Sequence, residues 1–472
     1  MALIPSDGTR SHVLLFPFMS KGHTIPLLQF AQLLLRRSIS VTVVTTPANH
    51  PFITDFLKGT TASVVTLSFP TVTNIPVGVE STDKLPSISL FYEFATATSA
   101  IQPQFEQLLQ TLPRVNFMVT DGFLWWTLDS ATMFGIPRFV YYGMNCYSSS
   151  VCIEAMREGI LNSSQPDNEL VALTQFPWIR VCKEDFEPSF RNPNPNDVAH
   201  KFNMNSLSST HRSHGMLFNS FYELESTFVD YWNAGSSPKG WYIGPLCLAE
   251  WTPKVYPDEG LKPRWVTWLD QKLEEKRRVL YVAFGSQAEI SVEQLREIAL
   301  GLEESEVSFL WVMRKEEWGV PDGFEERVKD RGMVVREWVD QREILMHGSV
   351  EGFVSHCGWN SVLESVCAGV PILAWPMMAE QYLNARMVEE EVKVGLRVET
   401  CDGSVRGFVK SEGLKKTVME IMEGDKGRKA RENVRELAEK AKLATQEAGS
   451  SWSTLESLLN EIKSDFISKS HN

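Results

Sequence analysis

The segment Gly352-Phe-Val-Ser-His356 reads as a strand, and Asn360-Ser361-Val-Leu-Glu364-Ser-Val-Cys-Ala368 reads as a helix. Only a short glycine-containing turn, Cys357-Gly358-Trp359, separates them. A strand that turns sharply into a helix aims the helix's unpaired amides at one point, where an anion fits. His356, Trp359 and Asn360 placed around that point suggest a site for a phosphorylated ligand. Ser361 and Glu364 also have the spacing of a capping box, which is a purely structural arrangement. The neighbouring side chains have complementary chemistry. Trp338 closes a strand-like run, Met333 to Glu337, and can stack on a base. Gln341, Glu364, Glu380 and Gln381 can grip the hydroxyls of ribose or of a sugar. One aromatic, one phosphate turn and several hydroxyl-binding groups amount to a nucleotide-sugar site.

The stretch from Trp338 to Gln381 resembles, at full length, the nucleotide-sugar-binding box of plant family 1 UDP-glycosyltransferases. Shorter landmarks fall in that family's order along nearly the whole chain: Gly22-His23, Val119-Thr-Asp121, Phe218-Asn-Ser-Phe-Tyr-Glu-Leu-Glu225, Ile243-Gly-Pro245, Trp268-Leu-Asp270 and Phe284-Gly-Ser286. The resemblance implies transfer of a sugar from a UDP-sugar to a small hydroxylated acceptor. Flavonoids, phenols, hormones and terpenoids all remain open as acceptors.

Such a transfer needs a base for the acceptor, an in-line anomeric carbon and a stabilised diphosphate. His23, in the loop after the first predicted strand, is the candidate base, because an imidazole of pKa near ~6.5 is largely neutral at pH 7. Asp121 ends the predicted strand Phe117–Thr120 on the same rim of the same sheet. A carboxylate there could fix the imidazole tautomer and stabilise the imidazolium. Capping a helix is the other role open to Asp121. For the leaving group the candidates are His356, the amides near Asn360 and Ser361, and Ser286. The sequence has no Asp-x-Asp pair, no HExxH and no Cys/His cluster. A metal-bridged diphosphate is therefore not expected, and no cofactor is implied. By resemblance, Trp338 stacks on uracil, Val339 reads the base edge through its backbone, Gln341 and Glu364 hold ribose, Trp359 lines the phosphate and sugar pocket, and Glu380 and Gln381 hold the sugar. A terminal Gln381 favours glucose in that family. The chain departs from the family pattern at Asp340, Glu380 and Gly143, the last removing a possible sugar contact.

These groups need scaffolds to hold them. Predicted strand His12–Phe18, helix Pro26–Arg37 and strand Val41–Thr46 form a β–α–β pattern, with Pro26 suited to a first helical turn. Predicted strand Phe117–Thr120, helix Leu124–Phe134 and strand Phe139–Tyr142 repeat it. A second series begins with Val279–Ser286, Val292–Glu304 and Phe309–Met313. Repeated alternation implies doubly wound parallel sheets, and 472 residues suit two domains. The expected fold is α/β, two Rossmann-like domains facing across a cleft, the GT-B type that the resemblance implies. The expected divisions are 1–247 for the acceptor, a linker at 248–263, 264–450 for the UDP-sugar, and a terminal helix in 451–472 crossing back. Residues 162–205, rich in Pro and Asn, are expected to cover the cleft. Phe91, Trp125, Tyr142 and Tyr147 are candidates for the acceptor pocket.

Bulk properties narrow the partners. A net charge of −13 disfavours nucleic acid and anionic membranes. Seven scattered cysteines without a CxxC pair suit reduced thiols. The longest apolar runs, Val13–Met19 and Val370–Met378, are too short to span a bilayer, and the polar N-terminus does not resemble a signal peptide. A cytosolic monomer is the expectation. Rival chemistries lack their motifs: no two of the 29 glycines stand two apart, so GxGxxG is missing, and so is GxSxG. An epimerase or hydrolase of UDP-sugars would share the donor site and stays open, whereas the pair His23 and Asp121 argues against a non-catalytic binding protein.

Overall fold

Apolar runs such as HVLLF, FMVTD and VLYVA are what strands buried on both faces require, and they form the centres of two sheets. The computed structural model describes residues 11–470 except 192, 236, 250–253, 255, 257–259, 261 and 314–318. In chain order the strands are β1 (His12–Phe16), β2 (Ser40–Thr45), β3 (Ser63–Thr66), β4 (Phe117–Asp121), β5 (Arg138–Tyr141), β6 (Val171–Ala172), β7 (Arg180–Val181), β8 (Gly215–Phe218) and β9 (Gly240–Tyr242). They continue with β10 (Val279–Ala283), β11 (Ser308–Val312), β12 (Gly332–Val335), β13 (Val350–Ser355), β14 (Ile372–Ala374) and β15 (Gly395–Arg397). The first sheet runs β3-β2-β1-β4-β5-β8-β9 and the second β12-β11-β10-β13-β14-β15. Both are parallel throughout. The short pair β6/β7 is antiparallel and separate.

Each sheet reverses its winding direction once. In the first, the chain moves outward from β1 to β3 and restarts on the other side of β1 with β4. In the second the reversal lies between β10 and β13. Connections leave in opposite directions at such a point and open a crevice beyond the strand ends, where ligands bind. Asp121 is the last residue of β4, and the segments after β1, β10 and β13 carry His23, Ser286 and His356 respectively.

Several element bounds differ from the expected ones. The first helix is Lys21–Arg36, so it begins five residues early and holds Pro26 in its interior. The helix expected at Leu124–Phe134 shortens to Thr127–Met133. Helix Val292–Glu304 coincides with expectation. The 162–205 segment contains β6, β7, two 3-10 turns and the start of helix Val198–His211. Much of the expected linker, 250–253, 255, 257–259 and 261, lies outside the described residues, as do 471–472 of the terminal stretch.

Helix Ser450–Ser470 follows the second sheet in sequence but packs on the first. Leu455, Leu458, Leu459 and Ile462 enter the same core cluster as Leu27, Leu34 and Trp241. Arg37 Nε donates to Glu456 at 2.9 Å, and Lys239 Nζ reaches Glu461 at 2.8 Å. Among the described residues no helix is long and apolar enough to cross a membrane. Leu458 is fully buried, so Leu458→Ala should cost about 3 kcal/mol in urea unfolding while UDP affinity is preserved. A loss below about 1 kcal/mol would mean that this helix does not carry the first core.

Candidate active site

The dyad is built by strand pairing. β1 and β4 are parallel neighbours with Phe16 opposite Thr120, so the residues beyond their ends share one rim. The chain leaves β1 through Phe18 and Met19 into helix Lys21–Arg36, whose third residue is His23. His23 is thus in a helical first turn and not in a loop. Its Nδ1 lies 2.6 Å from Asp121 Oδ2. Asp121 Oδ1 accepts the Phe123 N–H at 2.9 Å, closing the turn after β4. The alternative of a helix cap is not taken up, because the next helix begins at Thr127 with Trp126 at its N-cap. Asp121 is fully buried and the His23 side chain is 19% exposed. Burial pushes the His23 pKa down, but the Asp121 charge and hydrogen bond, helped by the Glu380 charge, outweigh it and leave it above 6.5.

Rings surround the imidazole. Phe123 lies 5.1 Å from it and Phe18 5.9 Å, centroid to centroid. Phe91, Tyr142 and Phe202 each pack on Phe123, at 5.5, 5.6 and 5.6 Å. Tyr142 hydrogen-bonds Thr210 Oγ1 at 2.7 Å, tying helix Val198–His211 to the rim. Of the four pocket candidates, Phe91 and Tyr142 belong to this cluster, and half-buried Trp125 packs on the first-sheet core behind it. Tyr147 is a correction: it is fully buried, stacked edge-on against Phe228 at 4.9 Å, and is a core residue. Phe123 and Phe202 were not anticipated. Phe123 stands two residues after Asp121, a signal open to sequence reading; Phe202 gives none, because its helix lies in the segment without periodicity.

The second crevice holds His356. Its ring is pressed between two backbone segments: a first side-chain carbon at Gly285 or at Gly358 would stand 2.8 or 2.5 Å from Nε2. Gly285 also has φ +76°, and Cys357, unusually for a non-glycine, has φ +63°. Burial pushes the His356 pKa down to about 4, and its Nδ1 is buried without a partner. His356 is therefore neutral near pH 7 and offers a single N–H to an anion. Ser286 sits in the turn just beyond β10.

The box residues divide by what they touch. The anticipated capping box does not form, because helix Trp359–Ala368 starts ahead of Ser361, with Gly358 at its N-cap. A longer-range partner claims both side chains: Gln341 Nε2 donates to Ser361 Oγ at 2.9 Å and to Glu364 Oε2 at 2.8 Å. Burial pushes Glu364 up to about 7. Trp359 is a second correction: its ring is 2% exposed and donates its N–H to the Asn219 carbonyl at 2.7 Å, so it does not line an open pocket. Trp338 is 65% exposed, and Val339 packs partly against the core beside it. Gln381 Oε1 accepts the Met377 and Met378 N–H groups, both at 3.0 Å, leaving its Nε2 for a ligand. Burial raises Glu380, whose charge is felt at His23. Asn360 Nδ2 reaches across to the Gly22 carbonyl at 2.5 Å. Among the described residues no three His, Cys, Asp or Glu side chains group as a metal site.

Comparison with known proteins places the chain in a family. Residues 270–439 match the family model described as UDP-glucoronosyl and UDP-glucosyl transferase. UDP-glycosyltransferase 90A1 of Arabidopsis thaliana is 56% identical over 464 residues, covering 96% of each chain. The chain belongs to the plant family 1 UDP-glycosyltransferases. The enzyme's two-sheet architecture is the GT-B fold. Glycyrrhiza uralensis UGT73P12, solved with glycyrrhetinic acid 3-O-monoglucuronide, superposes with a TM-score of 0.87 at 32% identity and 98% coverage of both chains. Phytolacca americana UGT2, solved with UDP-2fluoro-glucose and pterostilbene, gives 0.79 at 29% identity, covering 96% of this glycosyltransferase and all of that chain.

The buried carboxylate yields a pH prediction. The folded-state pKa of Glu364 is raised from 4.5 to about 7, so its contribution to stability is present below pH 4.5 and is lost as pH rises through 7. Glu364→Gln removes that titration. Relative to wild type, the variant should gain up to about 3 kcal/mol in unfolding free energy between pH 5 and pH 8. His356 titrates in both proteins and cancels. An equal difference at the two pH values would contradict a buried, ionising Glu364.

Proposed function

We propose that the enzyme transfers glucose from UDP-glucose to a hydroxyl of a small lipophilic or phenolic acceptor, inverting the anomeric carbon to give a β-glycoside. The observation that carries this reading is the 2.6 Å contact between His23 Nδ1 and Asp121 Oδ2 at the edge of an aromatic cluster. A carboxylate accepting the Nδ1–H leaves the Nε2 lone pair free to take the acceptor's proton, and it stabilises the imidazolium that results. The acceptor oxygen then bonds to the anomeric carbon as the bond to the diphosphate oxygen breaks, and the electron pair departs with UDP.

The donor roles follow the same logic. Neutral His356, the helix-end amides beyond Gly358 and Ser286 receive the charge developing on the diphosphate, with no metal ion required. Trp338 offers an open face to uracil beside the Val339 backbone. Gln341 and Glu364, already paired through the amide Nε2, meet the ribose hydroxyls with their oxygens. Glu380 and the Nε2 of Gln381 meet the sugar hydroxyls. A box ending in Gln381 supports glucose, as does the relative solved with UDP-2fluoro-glucose; the pterostilbene in that complex supports an aromatic acceptor. On this reading residues 1–247 hold the acceptor and 264–450 the donor, joined through 248–263, with 451–472 returning to the first domain. The enzyme works as a cytosolic monomer.

A panel of flavonoids, simple phenols, hormones and terpenoid alcohols incubated with UDP-glucose should give products heavier by one hexose. His23→Ala should lower the turnover of the best substrate by about 10²-fold or more; a wild-type rate would overturn the base assignment. The pH profile supplies an independent check. His23 must be neutral to act, and its pKa lies above 6.5, so kcat/KM should fall as pH drops through a midpoint above 6.5. Asp121→Asn removes the charge that raises this pKa while leaving the burial that lowers it. Its midpoint should therefore move down and its plateau drop; an unmoved midpoint would dissociate Asp121 from the base.

A further inference from the structure

Two residues at the start of helix Lys21–Arg36 break local helix rules, and the second domain satisfies both. Ser20 is the N-cap, with φ −143° and ψ 135°, yet its hydroxyl caps no amide of the helix. It accepts instead from Gln287 Nε2 at 2.8 Å, and the same nitrogen lies 2.5 Å from Thr82 Oγ1. Pro26, inside the helix, has no N–H for the carbonyl four residues before it. That carbonyl belongs to Gly22, and it accepts from Asn360 Nδ2 at 2.5 Å. His23 follows directly on the second of these anchor points.

The anchors come from the two turns that flank the donor crevice. Gln287 follows Ser286 beyond β10, and Asn360 follows the turn beyond β13. Glu289, in the first of these segments, accepts the Ile88 N–H at 3.0 Å. Thr82 in turn donates its N–H to the Met19 carbonyl at 2.9 Å, so Gln287 grips two strands of chain that are already joined. A helix capped from within its own domain would be indifferent to the position of the other domain. This one has its first turn completed from the other side.

We propose that Gln287 and Asn360 are positioning residues for the transfer reaction. They complete the N-terminal turn of the His23 helix when the domains are closed, and so set the base in register with the donor held by the same two turns. The proposal rests on His23 being the base.

Ser20→Ala deletes the acceptor hydroxyl without deleting a cap, because none is formed. Pro26→Ala gives the Gly22 carbonyl an intrahelical donor that competes with Asn360. The probes are UDP-glucose and whichever panel phenol the wild-type enzyme turns over fastest. In each variant the single-turnover rate at saturating donor should fall at least about fivefold, while UDP Kd and the thermal midpoint hold or, for Pro26→Ala, the midpoint rises. Ser20→Thr, which keeps a hydroxyl, should retain the rate. Wild-type rates in both Ser20→Ala and Pro26→Ala would overturn the proposal, and so would a loss matched by weaker UDP binding or a lower midpoint. His23→Ala run in parallel separates the two readings. An inactive His23→Ala beside a fully active Ser20→Ala overturns the positioning role alone, whereas an active His23→Ala removes the base assignment beneath it.

Discussion

Everything in the active site depends on one topological constraint: each parallel sheet reverses its winding at a single pair of adjacent strands. Between β1 and β4 the connections diverge, and the space they leave is occupied by His23 and Asp121, 98 residues apart in sequence and 2.6 Å apart in space. Between β10 and β13 the same divergence leaves room for His356, against which the turn after β10 packs through Gly285. A doubly wound sheet has one such crevice. A reaction joining two substrates therefore suits two sheets, one crevice holding the proposed base and the other the proposed leaving-group site.

The two histidines show how environment divides one residue type into two roles. Both lose solvent, which disfavours imidazolium. His23 gains a carboxylate within hydrogen-bond distance and ends above its ordinary pKa, whereas His356 gains no charged partner and falls to about 4. The first can take up a proton and hold it beside Asp121. The second stays neutral, and on the proposed mechanism it is a fixed dipole beside the developing negative charge, a form of stabilisation that needs no reorganisation. Gly285 and Gly358 make the difference possible, because any larger residue at either would displace the ring.

Much of this was legible in the sequence because it rests on local pattern. The β–α alternation and the placement of His23 and Asp121 on one rim follow from short-range periodicity and residue type, and the Trp338–Gln381 box from its resemblance to the family's. What was not legible was decided by distant partners. The helix start at Lys21 is hidden by Pro26, which ordinarily marks a first turn, and by Ser20, whose hydroxyl is spent on Gln287. The capping-box spacing of Ser361 and Glu364 is real, but Gln341 competes for both and wins. Trp359 looks like a pocket residue until Asn219, 140 positions away, accepts its N–H. Phe202 joins the rings around His23 from a segment with no periodic signal at all.

The domain interface explains why the backbone strain at Cys357 persists. A left-handed non-glycine costs on the order of 1 kcal/mol or more and survives only where its surroundings over-determine it. Here the Cys357 carbonyl accepts from Asn384 Nδ2 at 2.9 Å, and Asn384 Oδ1 accepts from Asn145 Nδ2 at 2.9 Å. Asn145 is itself fixed as the N-cap of helix Cys146–Arg157, accepting the Ser148 N–H at 2.7 Å. The strained turn beside His356 is thus held through a chain of amides that ends in the other domain. Close by, Arg386 and Asp185 form a buried ion pair at 2.8 Å across the same interface. Such a pair adds little net stability but penalises any arrangement that separates its members. Polar groups of this kind specify one domain arrangement through geometry, which a purely apolar interface of equal area would leave freer to slide. The shape of the diphosphate turn and the closure of the cleft are, physically, one property.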